Sequence, residues 1–207
     1  MFDIDGTLVE SCEIDSQCFI GAVKELTGLS INSDWSGYQH VTDKGILDEF
    51  LYSNGFSNKE EIENGVKRLF LEKLEASLAR QPLKEISGAA DFLKLLQSMN
   101  NVIVSLATGG WGESAILKLA SANINCSTIP LTSSNDHHSR AGIMKLAAKK
   151  ATNSQLPCTY FGDDTWDKQA CAELGYNFVL VGSKFKHKPN IVNFKSTKSA
   201  LACIGLE

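Results

Sequence analysis

The stretch MFDIDGTLVES (residues 1–11) decides how the rest of the chain reads. Met1, Phe2 and Ile4 give a short apolar strand, and Gly6 and Thr7 mark the turn that ends it. Asp3 and Asp5 flank Ile4 where that strand enters its turn. Two carboxylates so close repel, and burying them together is costly unless a cation joins them. The chain therefore has to supply or recruit one. A buried parallel strand usually has about five residues, so either this strand is short or residues precede Met1.

Outward from that stretch the chain has two textures. From about residue 13 to 80 the pattern is helical. Ile14, Cys18, Ala22, Val23 and Leu26 recur at helical spacing. A second helix is expected after Thr42, turning Ile46, Leu47, Phe50 and Leu51 inward. A third is expected near Asn58, where Asn58 and Glu61 have capping-box spacing ahead of Ile62, Val66, Leu69, Phe70 and Leu74. From about residue 83 short apolar runs alternate with helical patterns. NVIVSLAT, CSTIPLTSS, CTYFGDD, NFVLVG and NIVNF read as strands, with ESAILKLASA, RAGIMKLAAKKA and WDKQACAELG as the helices between them. Such alternation predicts an α/β, doubly wound parallel sheet with helices on both faces and right-handed crossovers. MFDID supplies its first strand. The sheet unit then comprises residues 1–12 and 83–207, with a helical insertion at 13–82. The two connections, near residues 11–13 and 81–84, are short enough to work as hinges.

Composition bounds the function. The chain has 207 residues, 43% hydrophobic and 21% charged, with a net charge of -4. It carries no basic footprint for nucleic acid. No apolar run approaches the ~20 residues of a membrane span, and no signal pattern opens the chain. Six cysteines stand at 12, 18, 126, 158, 171 and 203 without CxxC or zinc spacing, so they read as free thiols of a reducing, cytoplasmic compartment. Nothing in the sequence speaks to oligomeric state.

Ligands of open α/β sheets bind beyond the carboxyl ends of the strands. Four such ends carry Asp3, Asp5, Gly6 and Thr7; Thr108, Gly109 and Gly110; Arg140; and Asp163, Asp164 and Asp167. DIDGT at residues 3–7, with the late GDDTWD at 162–167, resembles the haloacid-dehalogenase-like hydrolase superfamily, whose members are typically magnesium-dependent phosphatases. Its four motifs fall in order. The second, a Ser or Thr closing a strand, is Thr108. The third, a Lys or Arg, is Arg140, or Lys145 if the helix starts later, since SRAG lacks the family's usual Lys-Pro. The fourth is the acidic group after TYFG. The resemblance spans the whole chain and implies a Rossmann-like core with the helical insertion as a cap.

Its implications are specific. Asp3 is the nucleophile, a carboxylate that forms an aspartyl-phosphate. Asp5 is the acid and base that serves first the leaving group and then water. Mg²⁺ is held by Asp3, Asp163 and the Asp5 backbone carbonyl. Asp164 and Asp167 hold metal-bound water or pair with Arg140. Thr108, the Gly109 region and Arg140 bind phosphate. The expected partner is a small phosphorylated metabolite of sugar-phosphate or phosphoglycolate type, read by His40, Thr42 or Lys44 in the cap, with Trp111 and Trp166 as walls or packing. The alternatives are a phosphosugar mutase, a carbon–phosphorus hydrolase using Lys44, and a phospho-accepting receiver module.

Overall fold

The computed structural model describes residues 1–206. The chain enters the sheet at once. Phe2 bridges in parallel to Leu106 on one side and Phe161 on the other. Helix α1 (Cys12–Thr27), a 3-10 turn at Trp35–Gly37, α2 (Asp43–Ser53) and α3 (Lys59–Arg80) follow. The sheet then resumes through α4 (Ala89–Gln97), β1 (Leu106–Ala107), α5 (Gly112–Ser121), β2 (Leu131–Thr132), α6 (Arg140–Ala151), β3 (Thr159–Gly162), α7 (Thr165–Leu174), β4 (Asn177–Val181), β5 (Asn190–Ile191) and α8 (Thr197–Ala202). Every strand pairing is parallel, and the spatial order is β2, β1, the Phe2 segment, β3, β4, β5. The first residues of the chain therefore lie at the centre of the sheet.

Side chains alternate along the strands and sort into two layers. Phe2, Leu106, Phe161, Val179 and Val181 meet Phe92, Leu93 and Leu96 of α4, Ala115 and Leu119 of α5, and Ala200 of α8. Met1, Ala107, Tyr160, Phe178 and Leu180 face the other way, onto Ala141, Ile143, Met144 and Ala147 of α6 and Ala170 and Cys171 of α7. Phe2 and Phe161 stack with centroids 4.7 Å apart, which fixes the central strand against its neighbour. Helices α1 to α3 bury a separate cluster that includes Phe19, Leu47, Phe50, Val66, Phe70 and Leu74. Trp111, at the start of α5, packs into that cluster and is 1% exposed, so it is packing and no wall of the cavity.

Local chemistry explains some boundaries and overrules others. Thr42 caps α2, its Oγ1 accepting from Gly45 N at 3.0 Å. The capping box expected at Asn58 does not form. Asn58 donates to the Glu61 side chain at 3.3 Å and offers no bond to the helix backbone. A genuine box opens α7 instead, between Asp164 and Asp167. The strands are shorter than the apolar runs suggested, with two paired residues in β1 and in β2. Cys171 is buried and Cys158 partly buried. All six cysteines are free. No helix among the described residues is long and apolar enough to cross a membrane.

Candidate active site

The carboxyl ends of the Phe2 segment, β1 and β3, together with the N-terminus of α6, open on one cavity of about 140 Å³. Asp3, Asp5, Thr108, Gly109, Arg140 and Asp163 all line it. Gly6 makes the turn beneath them with φ +73°, and a Cβ there would collide with the Asp163 carboxylate. Only glycine meets both demands. Gly109 serves a second close approach: a Cβ would stand 2.5 Å from the Arg140 guanidinium and 3.0 Å from the Val41 carbonyl.

Asp3 is 3% exposed. Arg140 Nη1 stands 3.4 Å from Asp3 Oδ1 and 2.8 Å from Asp167 Oδ1. Tyr160 donates its hydroxyl to the Ala107 carbonyl at 2.8 Å and receives Arg140 Nη1 at 3.4 Å, which props the guanidinium. Burial opposes the charge on Arg140, but Asp167 and Asp3 outweigh it and raise its pKa. Burial raises the pKa of Asp3 well above the usual range, with Arg140 pulling the other way and Asp167, Asp163 and Asp5 pushing it further up. One guanidinium is not enough for that many acids. Lys145 is exposed on α6 and takes no part.

Asp3, Asp163 and Asp167 each offer a carboxylate oxygen, and these oxygens lie within 4.8 Å of one another. Asp3 Oδ1 and Asp167 Oδ1 are buried and have no aligned hydrogen-bond donor, although Arg140 is close to both. An all-oxygen set with unsatisfied lone pairs suits Mg²⁺, a hard cation that takes carboxylates and water. The residues present fit that ion. Asp164 lies at the rim, capping α7 through Thr165 N at 2.7 Å.

Two lysines that the sequence reading missed complete the electrostatics. Lys184, after β4, reaches Asp163 at 2.5 Å and Asp164 at 2.8 Å. Burial works against its charge, yet Asp163 raises its pKa. Asp163 itself is pushed up to about 6, first by burial and then by Asp167. Lys118 of α5 is fully buried and pairs with Asp5 at 2.7 Å and Asp15 at 2.6 Å. The strand-end rule, extended to β4, reaches Lys184. Lys118 shares a helix face with Ala115, Leu119 and Ala122, whereas Ile116 is 60% exposed, an inversion of the usual pattern.

The residues expected to read the substrate divide. Thr42 lines the cavity and donates to the His138 carbonyl at 2.6 Å. Lys44 is turned away, paired with Glu63 at 2.8 Å. His40 packs against His138, with ring centroids 4.8 Å apart, and is also outside the lining. Trp166 lines the cavity.

The haloacid dehalogenase-like hydrolase family model matches residues 1–181. The chain belongs to this family. Solved structures agree on the fold of the hydrolase. A hydrolase from Pseudomonas syringae superposes with a TM-score of 0.71 at 19% identity, covering 90% of this chain and 85% of that one. CbbY from Rhodobacter sphaeroides, in complex with phosphate, gives 0.70 at 14% identity, covering 94% and 93%. The hydrolase YfnB from Bacillus subtilis, bound to magnesium, gives 0.57 at 13% identity, covering 97% and 96%. Among curated proteins, none matches the hydrolase.

Proposed function

We propose that the hydrolase is a magnesium-dependent phosphatase that cleaves small phosphomonoesters through an aspartyl-phosphate on Asp3. The observation that carries this reading is Asp3 itself. It is a buried carboxylate at the central strand end, with a fixed guanidinium, a hydroxyl and a backbone turn around one cavity. The phosphate bound to CbbY and the magnesium bound to YfnB are in keeping with it.

A bound Mg²⁺ would be held by Asp3 and Asp163, with Asp167 beside them, and would neutralise charge between carboxylate and phosphoryl oxygens. Asp3 attacks phosphorus in line, and its acyl-phosphate bond forms as the bond to the alcohol oxygen breaks. Thr108 and the backbone around Gly109 donate to the phosphoryl oxygens, which carry the developing charge. Arg140 holds Asp3 in place and adds positive charge. Asp5 gives its proton to the departing oxygen, then takes one from the water that cleaves the aspartyl-phosphate. We assign residues 13–82 as a cap over this chemistry and residues 1–12 and 83–207 as the core. A closed cap excludes bulk water. The connections run side by side, with Glu10 N donating to the Lys84 carbonyl at 2.9 Å, a geometry suited to a paired hinge.

A carbon–phosphorus hydrolase would need a free lysine amine in the cavity. Lys44 is paired with Glu63 and Lys118 is held between two carboxylates, so this alternative loses its support. The test is phosphate release from p-nitrophenyl phosphate with Mg²⁺. Activity is expected to vanish in excess chelator and in Asp3→Asn, with the fold unchanged by circular dichroism. Wild-type turnover in Asp3→Asn would remove Asp3 from the nucleophile role.

A further inference from the structure

The cavity has two unlike ends. Its phosphate end holds both of the cations that line it, Arg140 and Lys184, and each is committed to core carboxylates. The other end is taken as the part lined by the helical insertion, chiefly Asp15, Ser16, Phe19, Trp35, Asp43 and Ile46, against which the leaving group would lie. It offers two acids, two aromatic faces, a hydroxyl and an aliphatic side chain.

The two acids are fixed in position. Asp43 accepts from Trp111 N at 2.8 Å, and its own N–H donates to the Gly109 carbonyl at 2.8 Å. Asp15 is held by Lys118 at 2.6 Å. Trp35 is held through Nε1 to Ser16 Oγ at 3.2 Å and meets Phe19 edge-on at 6.1 Å. Lys118 is 0% exposed and faces Asp5 and Asp15 at once, so it cannot meet a ligand. Among the described residues no other cation lines this end, since Lys44 and His40 are engaged outside the cavity.

We propose that this end selects phosphomonoesters whose alcohol carries ammonium or hydroxyl donors and no second anionic group. The inference rests on the phosphatase reading and narrows its substrate class. An ammonium or hydroxyl finds carboxylate acceptors and aromatic faces that attract cations. A carboxylate or second phosphate finds the Asp15 carboxylate and no cation to pair with, and a buried unpaired charge is strongly disfavoured. Phosphoglycolate, named among the expectations from sequence, is disfavoured.

The experiment uses three esters of one skeleton: phosphoethanolamine, 2-hydroxyethyl phosphate and phosphoglycolate, ending in ammonium, hydroxyl and carboxylate. With Mg²⁺ and wild-type enzyme, kcat/KM for the first two is expected to exceed that for phosphoglycolate by at least tenfold. In Asp15→Asn the ratio within the one variant is expected to shrink severalfold, whatever the absolute rate. The same compounds titrated calorimetrically into Asp3→Asn give the ranking without turnover. Phosphoglycolate equal to or better than the others, in either assay, overturns the inference. Hydrolysis of p-nitrophenyl phosphate alongside that result would leave the phosphatase reading intact. Conversely, no hydrolysis with the expected binding order would overturn the phosphatase reading and support the charge selection.

Discussion

Asp5 is held at both oxygens. Oδ1 accepts from Ser11 Oγ at 2.5 Å and Oδ2 from Lys118 Nζ at 2.7 Å. To hand a proton to a leaving group, one oxygen has to come free and take up a proton from solvent first. Ser11 can release it, because the Val9 carbonyl stands 3.3 Å from the same hydroxyl as a second acceptor. Asp5→Asn is therefore expected to slow both formation and hydrolysis of the aspartyl-phosphate, by about 10²- to 10⁴-fold. Rapid-quench kinetics separates the two steps. A loss below tenfold in both would make Asp5 a structural residue. At this scale the sequence was informative where chemistry repeats at strand ends: Asp3, Asp5, Thr108, Arg140 and Asp163 line one cavity. It was silent where a polar residue is buried against expectation. Lys118 reads as a solvated lysine because nothing local shows that Asp5 and Asp15, 113 and 103 residues away, come to meet it.

The same division holds among elements. The start of α2 was legible because N-capping is local chemistry. Asn58 had equal spacing, but its exposed side chain bonds to Glu61 and leaves the backbone uncapped. Strand lengths were not legible, since parallel pairing depends on partners far along the chain. What the spacing could not reveal at α2 is that its cap also ties it to the core. Thr42 Oγ1 accepts from Gly45 N and donates to the His138 carbonyl, while Arg140 Nη2 donates to the Val41 carbonyl at 3.3 Å. Thr42→Val loses both roles of the hydroxyl. Loss of an N-cap alone costs about 0.5–2 kcal/mol, so a decrease of about 1–2 kcal/mol is expected in urea unfolding, largely restored by Thr42→Ser. Wild-type stability in Thr42→Val would mean that this contact holds nothing together.

For the whole molecule, the decisive group is Lys118, because it is a fully buried charge that joins the strand-end turn to α1. Its ammonium binds Asp5 from the strand-end turn and Asp15 from α1, and its charge also acts on Asp43 of α2. Burial opposes its charge, but those carboxylates raise its pKa, so it stays protonated at neutral pH. Asp15 is pushed up to about 6 by burial, and Lys118 is what restrains the shift. Lys118→Met leaves buried acids without their cation, a change that typically costs about 3–5 kcal/mol. The pH dependence follows from the sign of the shift. An acid whose pKa rises on folding binds protons more readily in the folded state. Its favourable contribution is full below the unfolded value and lost as pH rises through the folded one. Without Lys118 the upward shift of Asp15 grows, so the deficit of the variant is small in acid. It widens from about pH 6, where Asp15 of the wild-type protein ionises while that of the variant stays protonated, and reaches its full size above the still higher pKa of Asp15 in the variant. Melting temperatures of both proteins at pH 5 and pH 8 are the measurement. The difference is expected to be clearly larger at pH 8; an equal difference at both would mean that Lys118 stabilises by packing its methylenes and that its charge does not bind the helical segment to the core.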